Sequence, residues 1–246
     1  MRLFKEIFGR IWTVWGLILF AGTLLVFTIS FVIINLWKEP KRTHIFMRFC
    51  RAWMSIFLPG IGCPLTIKGR EHFKKGETYI VVCNHNSLMD VPASTLGLPG
   101  GNKTIAKKEM VRIPVFGIMY RMGSVLVDRK NEKSRRESYT RMKQVLNMGL
   151  HMCLYPEGTR NKTNEPLKAF QDGAFRLAHD TRKSIIPAVI FNTRKALPFD
   201  KPFFLWPHPL QMHFLEPVPV NENETTTQLK EKVFTIMKEY YVKHLP

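Results

Sequence analysis

Between Ile11 and Leu36 the chain carries no charged residue. No other feature limits its fold so strongly. A helix over those 26 residues is about 39 Å long, against a bilayer core of about 30 Å. Trp12, Trp15 and Trp37 sit near the ends of the run, as interfacial aromatics do. A secretory signal has a shorter apolar region and a small-residue cleavage site after it; the sequence offers neither. A helix buried in a soluble core is rarely free of charge over such a length. Gly16, Gly22 and Ser30 permit a break, so a full span and a re-entrant segment both stand open.

Thr43 to Leu58 comes next. Arg48 and Arg51 punctuate Ile45, Phe46, Phe49, Trp53, Ile56 and Phe57. That pattern predicts a basic amphipathic helix lying among lipid headgroups, or else one packed on a domain core. Pro59-Gly60 ends it. Lys38, Lys41, Arg42, Arg48 and Arg51 follow the apolar run, and Arg2, Lys5 and Arg10 precede it. The excess on the C-terminal side places the remaining domain in the cytoplasm, at an inner or cytoplasmic membrane. Residues 1–58 are thus expected to form a membrane anchor and residues 59–246 a separate catalytic domain.

From Pro64 onward, short apolar runs alternate with helical patterns. Strands are expected at 65–68, 79–83, 104–106, 124–127, 152–155, 185–191 and 211–215. Helices are expected at 88–97, 113–122, 132–147, 169–181 and 226–243. Such alternation predicts an α/β domain with a mixed, largely parallel sheet flanked by helices, set behind N-terminal membrane-associated helices. The net charge is +18, from 37 Lys+Arg against 19 Asp+Glu, which calls for an anionic partner. Nucleic acid is one such partner, yet no helix-turn-helix, zinc-finger or RNP signature is present. The four cysteines, Cys50, Cys63, Cys83 and Cys153, form no C-x-x-C pair and no Cys/His cluster, so neither a zinc site nor a disulfide framework is expected.

The polar residues with chemical potential fall where strands end. In open α/β sheets, ligands collect at the carboxyl ends of the strands. Asn84-His85 closes the run 79–83, and Asp90 follows five residues after the histidine. Imidazole titrates near neutrality, and a carboxylate on its second nitrogen fixes the tautomer of a general base. Ser87-x-x-Asp90 also fits a capping box, which would leave His85 an ordinary loop residue. Val127-Asp128-Arg129 closes a second strand, and Tyr155-Pro156-Glu157-Gly158-Thr159-Arg160 leaves a third. Read plainly, Arg129 opens a solvated charge run and Glu157–Arg160 makes a turn. Taken together, they set a basic, phosphate-suited lining beside His85.

With these blocks in order, the sequence resembles the 1-acyl-sn-glycerol-3-phosphate acyltransferase family of bacterial type. His85-x4-Asp90 looks like its N-H-x4-D box. Gly123 to Arg129 is similar to its arginine-ended block. Tyr155 to Arg160 resembles F-P-E-G-T-R, with Tyr155 where Phe is usual. Lys168 to Phe175 resembles the segment that follows, with Asp172 where a basic residue is common. Ile186-Pro187-Ala188 looks like the fourth block. The resemblance covers about residues 60–220.

The resemblance implies an acyltransferase making phosphatidic acid in phospholipid biosynthesis. The donor would be an acyl-CoA or acyl-carrier-protein thioester and the acceptor lysophosphatidic acid, with no metal and no further cofactor. It implies His85 and Asp90 as the catalytic pair. It implies Arg129, Glu157, Gly158, Thr159, Arg160 and Lys168 as substrate-binding residues. Alternatives are the same fold acylating glycerol 3-phosphate or an amino-acid-derived lysolipid, and a non-catalytic basic protein that binds membrane or nucleic acid.

Overall fold

The computed structural model describes residues 2–245. Helix α1 (Arg2–Ile34) runs unbroken through Gly16, Gly22 and Ser30. It starts nine residues before the uncharged run, and its stretch Leu3–Ile34 is long and apolar enough to cross a membrane. Helix α2 (Lys41–Gly60) folds back along it. There follow β1 (Leu65–Lys68), β2 (Ile80–Cys83), α3 (Asp90–Gly97), β3 (Asn102–Lys107), α4 (Phe116–Gly123), β4 (Ser124–Val127), α5 (Glu132–Asn147) and β5 (His151–Leu154). The chain ends with α6 (Gly173–Thr181), β6 (Ile185–Phe191), the short α7 (Thr193–Ala196), β7 (Leu210–Phe214) and α8 (Thr226–Lys243).

The seven strands form one sheet in the order β1-β7-β6-β2-β5-β3-β4. All neighbours pair parallel except β6 with β7. The sheet is therefore mixed and largely parallel, as the alternation of elements predicts. Central strands are apolar throughout because both faces are covered. Val81, Cys83, Ile186 and Ala188 face one core, with Trp53, Phe57, Ala93 and Met122 from α2, α3 and α4. Ile80, Val82, Ile185 and Val189 face the other, with Leu146, Phe175 and Val233 from α5, α6 and α8. Pro187 sits within β6 opposite Val82 of β2, and pairing with β7 begins at the next residue, Ala188.

The predicted helix 113–122 starts late. Ile113 precedes Pro114 and is extended, as a residue before proline prefers, so α4 begins only at Phe116. The helix expected from Ala169 likewise begins at Gly173. The amides before it are used elsewhere: Lys168 N–H and Gln171 N–H bond Glu157 and Pro156.

The apolar face of α2 turns inward, burying Phe46, Met47, Trp53, Met54 and Phe57 and leaving Arg48, Phe49 and Ile56 at the surface. Trp12 and Trp15 do not use their indoles as free interfacial groups. Each N–H donates at 2.9 Å to a carbonyl at the end of α2, Ile61 and Gly60. Helix C-termini leave carbonyls without intrahelical donors, and the two indoles meet that need. Trp53 Nε1 donates to Thr23 Oγ1 at 2.8 Å, a further stitch in the hairpin.

Both ends of the hairpin are fixed to the sheet domain. At the turn, Lys103 of β3 donates to Glu39 Oε1 at 2.8 Å and to Met122 O at 2.7 Å. Arg42 and Thr43 bond the same carboxylate. Burial alone would raise the Glu39 pKa, but the bonds from Lys103, Thr43 and Arg42 outweigh it and hold it down at about 2. At the other end, Leu205 N–H donates to Gly9 O, and Glu6 pairs with Lys201. The outward side of α1 stays apolar and exposed, through residues such as Ile18, Leu25, Val26 and Ile29.

Candidate active site

Strand β2 delivers the chain to a fixed point. Asn84 is fully buried; its amide donates to Ile190 O (2.9 Å) and accepts from Ile190 N–H (2.7 Å). This two-way bond ties the strand end to β6 before the chain turns. His85, Asn86 and Ser87 form the turn, and Asp90 opens α3.

The five-residue spacing closes as a general-base pair requires, because the turn folds back. Asp90 Oδ2 accepts from His85 Nδ1–H at 2.8 Å, Asn86 N–H at 2.6 Å and Ser87 N–H at 2.7 Å. An oxygen that already takes two amide hydrogens acts as an acceptor toward the imidazole too. Nδ1 therefore carries the ring hydrogen, and Nε2 keeps its lone pair. Asp90 Oδ1 is buried without a hydrogen-bond partner among the described residues. The capping box forms only by half. The Ser87 N–H bond to Asp90 is present, but Ser87 Oγ donates instead to Leu197 O at 2.7 Å.

Glu157 is 1% exposed and has both oxygens occupied. Oε1 accepts from His85 N–H at 2.7 Å, and Oε2 from Lys168 N–H at 3.0 Å. Burial pushes its pKa up to about 7, against the pull of those two bonds. The carboxylate thus organises the loops around His85. On the carbonyl side, His85 O accepts from Asn161 N–H at 2.6 Å, so the residue is gripped at both of its backbone groups.

The remaining sequence candidates gather on the same rim. Gly158 adopts φ 73°, a left-handed conformation that suits glycine. Its carbonyl accepts from Arg129 Nη1 at 2.7 Å, bringing the end of β4 to the loop after β5. Lys168 Nζ donates to Thr159 Oγ1 at 3.0 Å. Arg160 is half-buried beside Asn161 in that loop. Three residues outside the sequence candidates belong here: Asn84, Asn161 and Tyr241 of α8. Tyr241 stacks on Phe191 and lies 3.5 Å from Asn86 Nδ2. Asn84 and Asn161 adjoin the motifs, whereas nothing local marks a tyrosine 155 residues beyond Asn86. Among the described residues no three His, Cys, Asp or Glu side chains converge as a metal site needs.

An apolar cavity of about 450 Å³ opens beside the pair, between α2, α3, α4 and the sheet. Phe20, Cys50, Trp53, Met119 and Cys153 help to line it. Tyr155 is the shared wall: it lines the cavity, and its ring lies 4.4 Å from the His85 ring. A more open groove of about 630 Å³ borders β1, β7 and α8. It includes Lys68 and Phe214, where β1 and β7 end, and none of the sequence candidates lines it.

A model of the acyltransferase family matches residues 64–191. A 1-acyl-sn-glycerol-3-phosphate acyltransferase of Cocos nucifera is 33% identical over 190 residues, covering 76% of this chain and 59% of the relative. One from Borreliella burgdorferi is 27% identical over 212 residues, covering 83% of this chain and 80% of its own. The chain spans less than two thirds of the Cocos nucifera protein and of two similar Limnanthes proteins. The crystal structure of the 1-acyl-sn-glycerophosphate (LPA) acyltransferase PlsC from Thermotoga maritima superposes with a TM-score of 0.83. It covers 97% of both chains at 19% identity, a likeness of fold.

Proposed function

The chain belongs to the acyltransferase family, and from that premise we propose that it acylates the 2-hydroxyl of lysophosphatidic acid from a thioester donor, with His85 as general base. The observation that carries this reading is the 2.8 Å His85–Asp90 bond at a strand end, beside an apolar cavity and a rim bearing Arg129 and Arg160. The relatives' names support the acceptor.

The chemistry follows from the tautomer. Nε2 takes the proton of the acceptor hydroxyl as its oxygen attacks the thioester carbonyl. Asp90 stabilises the imidazolium that forms. Collapse of the tetrahedral intermediate breaks the C–S bond, and the departing sulfur takes the proton back from Nε2. No acyl-enzyme is needed, since the thioester is already activated. Arg129 and Arg160 offer planar charged forks to the acceptor phosphate. Glu157, Gly158, Thr159 and Lys168 hold the loop that presents them. The cavity takes an acyl chain, whose methylenes gain from leaving water.

The donor is an acyl-CoA or acyl-carrier protein. Residues 1–58 hold the enzyme in the bilayer through the apolar outer side of α1, with the sheet domain on the cytoplasmic side. The test uses the purified full-length protein, labelled oleoyl-CoA, and lysophosphatidic acid, glycerol 3-phosphate and monoacylglycerol as acceptors. The expected product is phosphatidic acid, with lysophosphatidic acid strongly preferred. Transfer to glycerol 3-phosphate alone, or to no acceptor, would overturn the assignment.

A further inference from the structure

The cavity wall beside His85 carries a polar atom that the base mechanism does not use, the hydroxyl of Tyr155. It donates to the backbone carbonyl of Asp90 at 3.2 Å and shares a 2.8 Å bond with Ser94 Oγ. Both partners lie in α3, the helix that Asp90 opens. Desolvation pushes the phenol well above its ordinary pKa, so it remains a hydrogen donor. The ring packs on the imidazole at 4.4 Å and 32°.

We propose that the Tyr155 hydroxyl is a positioning group for the base: it pins the first turn of α3 to the end of β5 and so fixes Asp90 against His85. Asp90 is otherwise held by the turn before it, where Ser87 O accepts its backbone N–H at 3.3 Å. Its carboxylate is bound by the 85–87 turn through Oδ2 alone, and Oδ1 has no partner. A carboxylate held through one oxygen can swing about that oxygen unless its backbone is fixed. Asn84 fixes the β2 side of the turn to β6. On the α3 side, the bond from Tyr155 fixes the main chain at Asp90 itself. The same side chain backs the imidazole face, so one residue sets the distance and the tilt between base and carboxylate. Phenylalanine fills the same space and leaves the ring contact, but not the pin.

This rests on His85 acting as base, and the experiment separates the two claims. Full-length wild type, Tyr155→Phe, Ser94→Ala and His85→Ala are assayed with oleoyl-CoA and lysophosphatidic acid, and the melting temperature of each is recorded. Tyr155→Phe should lower kcat about three- to tenfold, the scale of one neutral hydrogen bond, with KM for either substrate within about twofold. Ser94→Ala should act in the same direction but less, because the bond to Asp90 remains. An unchanged kcat in Tyr155→Phe, with or without a lower melting temperature, overturns the positioning role. A change carried by KM for the donor overturns it as well and makes Tyr155 a cavity-wall residue for the acyl chain. Near-normal turnover of His85→Ala would instead overturn the base assignment on which both rest.

Discussion

The rim around His85 and the α1–α2 hairpin meet the demands of their polar groups in opposite ways. The rim is self-contained. Asp90 Oδ2 is satisfied by the turn that precedes it, Glu157 by two amides beside it, and Asn84 by one residue of β6. The hairpin is satisfied on one side only. Its inner side packs on the sheet and is stitched by Trp12, Trp15 and Trp53, while the outer side of α1 presents exposed Leu, Ile and Val. A water-facing helix would be expected to carry charge there. The difference teaches that the geometry around His85 is set by hydrogen bonds closed within the fold, while the outer side of α1 is left apolar and open.

The sharpest way to break this separation is His85→Ala. Turnover should fall by about two orders of magnitude or more, the usual scale for a general base. Resistance to high-salt extraction should match the wild type, since screening weakens only electrostatic attachment. Loss of membrane retention along with activity would show that rim and hairpin are not independent.

The converse change is Lys103→Met, which strikes the hairpin's attachment and spares the rim. Removing one member of a buried pair costs about 3 kcal/mol, here moderated by Arg42 and Thr43, which still bond Glu39. Glu39 is held at about 2 against an ordinary 4.5. Its stabilising contribution is present above pH 4.5 and is lost as pH falls toward 2. In the variant the Glu39 pKa returns toward its ordinary value, so this acid-side loss should become smaller and shallower, which thermal melts across pH would show. An acid limb identical to the wild type would mean that Lys103 does not hold Glu39 charged.

Arg129→Ala and Arg160→Ala divide the rim itself. If the guanidiniums read phosphate, each loss should cost about 1.5–3 kcal/mol in kcat/KM toward lysophosphatidic acid and little toward monoacylglycerol. Lysine should rescue poorly at either position. Equal losses on both acceptors would reduce Arg129 to its bond with Gly158 O and Arg160 to a turn residue.

The smallest effect concerns Glu157 and His151, at opposite ends of β5. Burial raises Glu157 to about 7, so its protonated form is favoured by folding. That contribution is full below pH 4.5 and fades as pH rises through 7. Burial, with His44 nearby, lowers His151 to about 4. Its contribution is full above pH 6.5 and fades as pH falls through 4. The two slopes oppose each other between pH 4.5 and 6.5. Glu157→Gln should leave a melting temperature that rises with pH across that window, and a flat profile in the variant would contradict this.

Much of the rim was legible because its parts are local in sequence or follow strand ends. His85, Asp90, Glu157 and Arg129 could each be placed by the apolar run that precedes them. The role of Glu157 was not, since it depends on amides 72 residues before it and 11 residues after it. The hydroxyl of Tyr155 reads in sequence as a substitution for phenylalanine, and its partners in α3 appear only when β5 is set beside that helix. The hairpin was legible as apolar and long. Its continuity through Gly16 and Gly22 was not: Gly16 serves close packing, since a Cβ there would approach Leu205 to 2.8 Å, whereas Gly22 faces open space.

The two attachments of the hairpin, at Glu39 and at Gly9, have a mechanical consequence. A helix joined to its domain by a loose linker lets the body pivot, so that the site faces the lipid only part of the time. A helix bolted at both ends behaves as a keel. Once its lipid-facing stripe is seated, the heading of the His85 crevice relative to the bilayer plane is settled as well. A lipid acceptor of the proposed kind, confined to that plane, would then reach the crevice by lateral drift, with no search over the orientation of the body.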